Sequence, residues 1–267
     1  MSIIPSIPEQ QSKFVEVYGE RLHYFEAGEG PAVIMLHALG WYADVWGHLM
    51  TRLSPKYRVI ALDQIGCGDS SKPLLDYRIQ TYAEFLGGFI ESMKLDRPVV
   101  VGHAFGGWVA SLFTAQNPDA ISKLVLISSS GVTRRYTDRF LDLNPASFQA
   151  TQELLKTLFC NKKLASEELA REVFLRRLKF NDGFTVHQTF DGMFRFDQFL
   201  DPVLENITAP TLVIWGKEDS VTPLPDGNRF LRGIRGAKME LLDYCGHVPH
   251  IERPDDVSRA ILGFLAE

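Results

Sequence analysis

VVVGHAFGGWVA, residues 99–110, is the stretch that decides how the chain is read. A β-branched apolar run stops at Gly102, a glycine-rich corner follows, and the next residues can open a helix. A strand-to-helix corner of the form G-x-S-x-G holds a nucleophile on a sharp, strained turn. Gly102 and Gly106 stand where that pattern needs them, and Gly107 follows, but the middle residue is Ala104. Glycine permits the tight backbone and the close strand–helix approach that a side chain would block. The corner is therefore kept while the attacking group is missing, since a methyl group cannot attack.

Outward from this corner the chain alternates between strand and helix. PAVIMLH (31–37), YRVIALDQ (57–64), KLVLISSS (123–130) and APTLVIWGKED (209–219) are apolar runs of the kind buried on both faces of a sheet. Helical spacing marks 43–53, 79–95, 108–116, a segment near 226–234 and a terminal helix from Asp255, and KMELLDY (238–244) adds a late strand. FVEVY and RLHYFEA, on either side of Gly19-Glu20, form a hairpin. The fold class is α/β, with a mostly parallel central sheet flanked by helices. The alternation breaks between 132 and 205, where TQELLKTLF aligns Leu154, Leu155 and Leu158. In the same region Ser166 can cap a helix that opens on Glu167 and Glu168 and closes on Arg176, Arg177 and Lys179. The expected organisation is a core of 1–131 and 206–267 with a helical lid, 132–205, inserted above the carboxyl ends of the strands, where open α/β sheets bind ligands.

The 267 residues are 45% hydrophobic and 23% charged, with a net charge of −5. These values suit a soluble globular protein and leave no basic surface of the size nucleic acid requires. MSIIPSIPEQQSKF has neither a basic n-region nor a long apolar core, and no run is long enough to span a membrane, so a cytoplasmic location is expected. Cys67, Cys160 and Cys245 show no metal-ligand spacing and read as unpaired thiols. No cofactor or metal is expected: GHAFGG lacks the Lys-Ser/Thr of a phosphate loop. A homodimer is allowed for.

Three features fall at strand ends in a fixed order: the Ala104 corner, Asp219 and His247. LHALG (36–40), DQIGCGDSSKP (63–73), GHAFGG (102–107), GKEDSVTP (216–223) and CGHVPHIERP (245–254) together resemble the α/β-hydrolase superfamily. The wording and the insertion look most like the branch of meta-cleavage-product C–C hydrolases, esterases and monoacylglycerol-lipase-like enzymes. The resemblance implies Asp219 as the acid and His247 as the base of a triad whose nucleophile position is Ala104, with the amides of Leu39 and Phe105 as the oxyanion hole. His37, His103 and Asp63 read as hydrogen-bonded architecture, Glu218 as a solvated neighbour, and His23, His48, His187 and His250 as bystanders.

Alanine at 104 has three accounts. It is a serine-to-alanine substitution in a serine hydrolase, a natural binding protein, or an enzyme using Asp219 and His247 as a base dyad for lyase, cyclase or cofactor-free oxygenase chemistry. The first is favoured because everything around position 104 still fits serine catalysis. For the substrate, many meta-cleavage-product hydrolases carry tryptophan after the histidine and arginine on a lid helix. Here Val248 follows His247, and Val173 falls near the arginine position unless Arg171 or Arg176 takes it after a shift of about a turn. A phenylalanine-rich lid and Trp41 suit an apolar or aromatic small molecule. An ester or lactone is expected ahead of a C–C substrate.

Overall fold

The computed structural model describes residues 7, 11–132, 145, 147–193 and 199–267. Its eight strands form one sheet among the described residues: β1 (Ser12–Val17), β2 (Glu20–Ala27), β3 (Ala32–Leu36), β4 (Arg58–Leu62), β5 (Val99–His103), β6 (Lys123–Ile127), β7 (Thr211–Gly216) and β8 (Lys238–Leu242). Their spatial order is β1-β2-β4-β3-β5-β6-β7-β8. The hairpin β1–β2 and the pair β2–β4 are antiparallel, and every pair from β4 to β8 is parallel. This is the mostly parallel α/β sheet expected from the alternation. The hairpin turns through Tyr18 and Gly19, both at positive φ, where Gly19 meets no steric penalty.

Helices α1 (Gly47–Leu53), α2 (Ile79–Ser92) and α3 (Phe105–Gln116) belong to the first half. The expected helix over 43–53 divides: Ala43–Trp46 is a tighter 3₁₀ turn, and α1 begins at Gly47. Strands β3, β5, β6 and β7 are buried almost throughout, as their unbroken apolar runs require. Apolar clusters cover both faces. One packs α2 and α3 beneath Ile34, Val100, Leu124 and Val213; the other packs α1 and α9 (Pro254–Leu265) against Val33, Val101, Val125 and Ile214.

Between β6 and β7 lie α4 (Phe148–Leu158), α5 (Glu167–Phe180) and α6 (Gly183–Gly192). Ser147 caps α4 by accepting from the Ala150 amide, and Ser166 caps α5 by accepting from Leu169. Acidic residues open α5 and basic ones close it, as its dipole favours. Residues 133–144, 146 and 194–198 of the expected insertion lie outside the described residues, as do Phe140, Phe194 and Phe196. The remaining helices are α7 (Leu224–Gly233) and the single turn α8 (Pro249–Glu252). No helix among the described residues is long and apolar enough to cross a membrane.

Candidate functional site

The strand order itself creates the site. β3 sits between β4 and β5, so the loops leaving β3 and β5 diverge to opposite sides and open a crevice at their carboxyl ends. Leu36 and Gly102 pair across these two strands, which brings the LHALG loop beside the GHAFGG corner. Asp219 follows β7 and His247 follows β8, so both arrive at the same end of the sheet.

The corner has the strained geometry its glycines suggest. Ala104 lies at φ 47°, ψ −110°, a conformation that costs an ordinary side chain about 1–3 kcal/mol. A Cβ on Gly106 would fall 2.3 Å from the Leu36 carbonyl oxygen, and one on Gly102 would fall 2.4 Å from the Gly106 carbonyl oxygen. The backbone approach is thus closed to any other residue. Ala104 is held by its amide to the Ile127 carbonyl, and its own carbonyl accepts from Trp108 and Ser130. Phe105 is the first residue of α3, so its amide has no acceptor within the helix.

A cavity at this corner brings together Leu39, Trp41, Ala104, Phe105, Ser130 and His247, with Leu154, Leu155, Leu158, Val173, Arg177, Phe190 and Met193 from the inserted segment. All of the sequence-derived positions except Asp219 and Val248 line it. Asp219 stands directly behind His247: His247 Nδ1 donates to Asp219 Oδ2 at 3.0 Å. Val248 is fully buried in the apolar cluster of the α1–α9 face and is not among the lining residues, so the residue after the histidine is packing here rather than substrate contact.

The carboxylate of Asp219 is over-determined. Oδ1 accepts from the amides of Val221 and Thr222, and Thr222 Oγ1 donates to Oδ2 at 2.9 Å. Burial pushes this carboxyl up, but the adjacent His247 and the two amides outweigh it and hold the group below the usual carboxylate range. An ionised, fixed carboxylate is what keeps an imidazole in one tautomer, with its other nitrogen available as a base. His103 donates from Nε2 to the His247 carbonyl at 2.7 Å, and His37 is bound to the Ala38 carbonyl and the Gln64 amide. Burial pushes both imidazoles down from the usual histidine range, His103 well below it. Their architectural assignment stands.

Several groups were not legible in advance. Arg171 stacks on Phe148, and Arg176 is paired with Asp44 and Glu172, so neither faces the cavity. Arg177 does, one helical turn beyond Val173 and only 8% exposed. Its guanidinium stands 3.9 Å from Asp182, whose other oxygen accepts from the Tyr42 hydroxyl at 3.0 Å. Glu252 pins the His247 loop to the foot of α4 by accepting from the amides of Gly246, Cys160 and Asn161. Glu218 is not merely solvated: it accepts from the Cys245 amide and joins the Asp219 and His247 loops. Of the four histidines read as bystanders, His23 and His250 are buried. The cavity wall from the inserted segment is more aliphatic than its phenylalanine content implied: Phe159 is core, Phe199 stacks on Trp108, and Phe184 is half exposed.

Comparison with known proteins agrees with this geometry. The α/β hydrolase fold family model matches residues 31–254. A relative from Paraburkholderia xenovorans (strain LB400) is 30% identical over 289 residues, covering 96% of this chain and 95% of that protein. It is named 2-hydroxy-6-oxononadienedioate/2-hydroxy-6-oxononatrienedioate hydrolase. A 2-hydroxy-6-oxo-6-(2'-aminophenyl)hexa-2,4-dienoic acid hydrolase from Metapseudomonas resinovorans is 29% identical, over 95% of this chain and 90% of its own length. Among solved structures, the meta-cleavage product hydrolase CumD from Pseudomonas fluorescens IP01, determined as a serine-to-alanine mutant complexed with acetates, superposes with a TM-score of 0.85. It is 26% identical over 95% of this chain and 97% of that one. The chain belongs to the α/β-hydrolase fold family, in the branch of the meta-cleavage-product hydrolases.

Proposed function

We propose that this chain is built to hydrolyse a small apolar substrate bearing a carboxylate, that position 104 is its nucleophile position, and that with alanine there it binds substrate without turning it over. The observation that carries this reading is Arg177, a buried cation in the wall of a mostly apolar cavity that also holds Ala104, Leu39, Phe105 and His247. A guanidinium in such surroundings favours a planar anion that it can hold through paired hydrogen bonds. The relatives named above are hydrolases of dienoates, and CumD binds acetates in its serine-to-alanine form. Arg177 therefore moves the preferred substrate from a neutral ester or lactone toward a C–C bond flanked by a carbonyl, with an acidic group at the far end.

In that reaction the substrate carbonyl oxygen points at the amides of Leu39 and Phe105. With a serine at 104, its hydroxyl oxygen attacks the carbonyl carbon while its proton passes to His247 Nε2. Asp219 stabilises the resulting imidazolium from the Nδ1 side, which it already holds at 3.0 Å. The scissile bond then breaks, and the same proton is delivered to the leaving carbon or oxygen. Water repeats the sequence on the acyl group. The inserted helices serve as the lid that keeps bulk water out.

The test is Ala104→Ser, assayed on 2-hydroxy-6-oxo-6-phenylhexa-2,4-dienoate and on a neutral aryl ester, with a fluorophosphonate probe mapped by mass spectrometry. Turnover of the dienoate should rise by several orders of magnitude, with the label at position 104. If the variant neither turns over substrate nor labels there, the serine-hydrolase assignment fails. Equal dienoate activity with alanine and serine, abolished by His247→Ala, would establish the base-dyad chemistry instead.

A further inference from the structure

A Ser–His–Asp chain, separate from the Ala104 corner, runs from the hairpin edge of the sheet to the carboxyl end of β4. Ser12 begins the edge strand β1, and His23 lies on its antiparallel partner β2. The register pairs Ser12 with Phe25 and Phe14 with His23, which sets the Ser12 hydroxyl diagonal to the His23 ring. Ser12 Oγ is 2.9 Å from His23 Nε2, and His23 Nδ1 is 2.7 Å from Asp63 Oδ2. Asp63 is buried at the carboxyl end of β4 and has no proton to give: Oδ1 accepts from the Ala43 amide, and Oδ2 also accepts from Asp69. Burial pushes its carboxyl up, but the hydrogen bond from His23, with that from the Ala43 amide, holds it below the usual range. With Nδ1–H directed at the Asp63 carboxylate, Nε2 is the nitrogen left to accept from the Ser12 hydroxyl. That is the tautomer a general base needs.

From this geometry we propose that Ser12 is an activated nucleophile, separate from the Ala104 corner, that is acylated by small activated esters carrying an apolar acyl group. The partly exposed Ser12 is reachable from solvent, whereas His23 is 1% exposed and shielded by the Phe14 and Phe25 rings, with centroids 5.1 and 4.7 Å away. Phe14, itself 46% exposed, offers the acyl group a surface, and the Arg21 guanidinium lies over the same ring. In the step itself, a bond forms from Ser12 Oγ to the acyl carbon and the carbon–aryloxide bond breaks. The hydroxyl proton moves to His23 Nε2 and from there to the departing phenolate. With a fluorophosphonate, the oxygen–phosphorus bond forms and fluoride leaves with the proton.

The experiment uses the full chain with Ala104 unchanged, treated with a fluorophosphonate and separately with p-nitrophenyl acetate, followed by peptide mapping. One adduct is expected, on the peptide holding Ser12. Ser12→Ala should remove it, and His23→Gln should slow its formation about a hundredfold, the usual weight of a general base. His247→Ala should leave it unchanged, which separates this site from the proposed hydrolase chemistry. Ser12 is an edge-strand residue, so its alanine variant keeps the fold, as circular dichroism would verify. No adduct at Ser12, or an adduct formed equally fast in His23→Gln, overturns the proposal and leaves the three residues as a structural link between the hairpin and β4.

Discussion

Arg177→Met, made in the Ala104 chain, tests the substrate assignment without interference from turnover. The guanidinium is 8% exposed among Leu154, Val173, Phe190 and Met193, so salt screens it weakly. A hydrogen-bonded contact from such a cation to a carboxylate contributes about 1.5–3 kcal/mol net, which is roughly 10- to 150-fold in dissociation constant. The same cation also faces Asp182, 1% exposed, whose Oδ1 has no other partner among the described residues. At 3.9 Å the contact is an ion pair and not a hydrogen bond. Methionine alone would strand that charge in the interior and cost the fold about 3–5 kcal/mol. The double variant Arg177→Met/Asp182→Asn removes both charges and keeps an acceptor for the Tyr42 hydroxyl. Calorimetry would compare 2-hydroxy-6-oxo-6-phenylhexa-2,4-dienoate with its methyl ester. The single variant should unfold earlier in urea and the double variant should recover, yet both should lose the preference for the acid over the ester. If the double variant keeps the parental ratio of the two affinities, Arg177 does not hold the carboxylate and the acidic-substrate reading is wrong.

The Ala104 chain should bind the dienoate with a dissociation constant within about tenfold of that of an Ala104→Ser protein measured before turnover, because ground-state binding draws on the cavity and not on the missing oxygen; a larger gap by rapid-mixing fluorescence would refute this. Gly106→Ala should destabilise by roughly 3 kcal/mol, since its Cβ would meet the Leu36 and His37 carbonyl oxygens at 2.3 and 2.7 Å. Gly263→Ala, in α9 with open space around it, should instead gain about 1 kcal/mol. Urea midpoints decide both signs. His250 is pushed down from 6.5 to about 3, first by burial and then by His247 and His48. The unfolded chain therefore binds the extra proton below 6.5 while the folded one does not. Stability is full above pH 6.5 and falls progressively toward pH 3, by about 3 kcal/mol at roughly pH 4.5. His250→Leu should flatten that part of the urea-midpoint profile, and an unchanged slope would place the acid sensitivity elsewhere.

What could be read from the sequence was local, and what could not was a matter of which surface a helix or hairpin shows its neighbour. Strands β3, β5, β6 and β7 announce themselves because burial on both faces demands unbroken apolar runs. The corner announces itself because Gly102 and Gly106 are the only residues the Leu36–Gly106 approach admits. Asp219 and His247 follow from chain order, yet Thr222, which donates to Asp219, looks like any turn residue before Pro223. Arg171, Arg176 and Arg177 are indistinguishable on α5 until its packing is known. Asp44, from the 3₁₀ turn before α1, captures Arg176, Phe148 captures Arg171, and the turn that begins at Val173 aims Arg177 inward. The Ser12–His23 contact is hidden for the same reason, because it depends on hairpin register and not on spacing along the chain. Both contacts on which the two proposals rest join segments whose individual patterns carry no signal. The two proposals therefore rest on the packing of α5 against the 3₁₀ turn before α1, and of β1 against β2. Charge-removing variants at Arg177 and His23 probe those two junctions more directly than changes at the glycine corner.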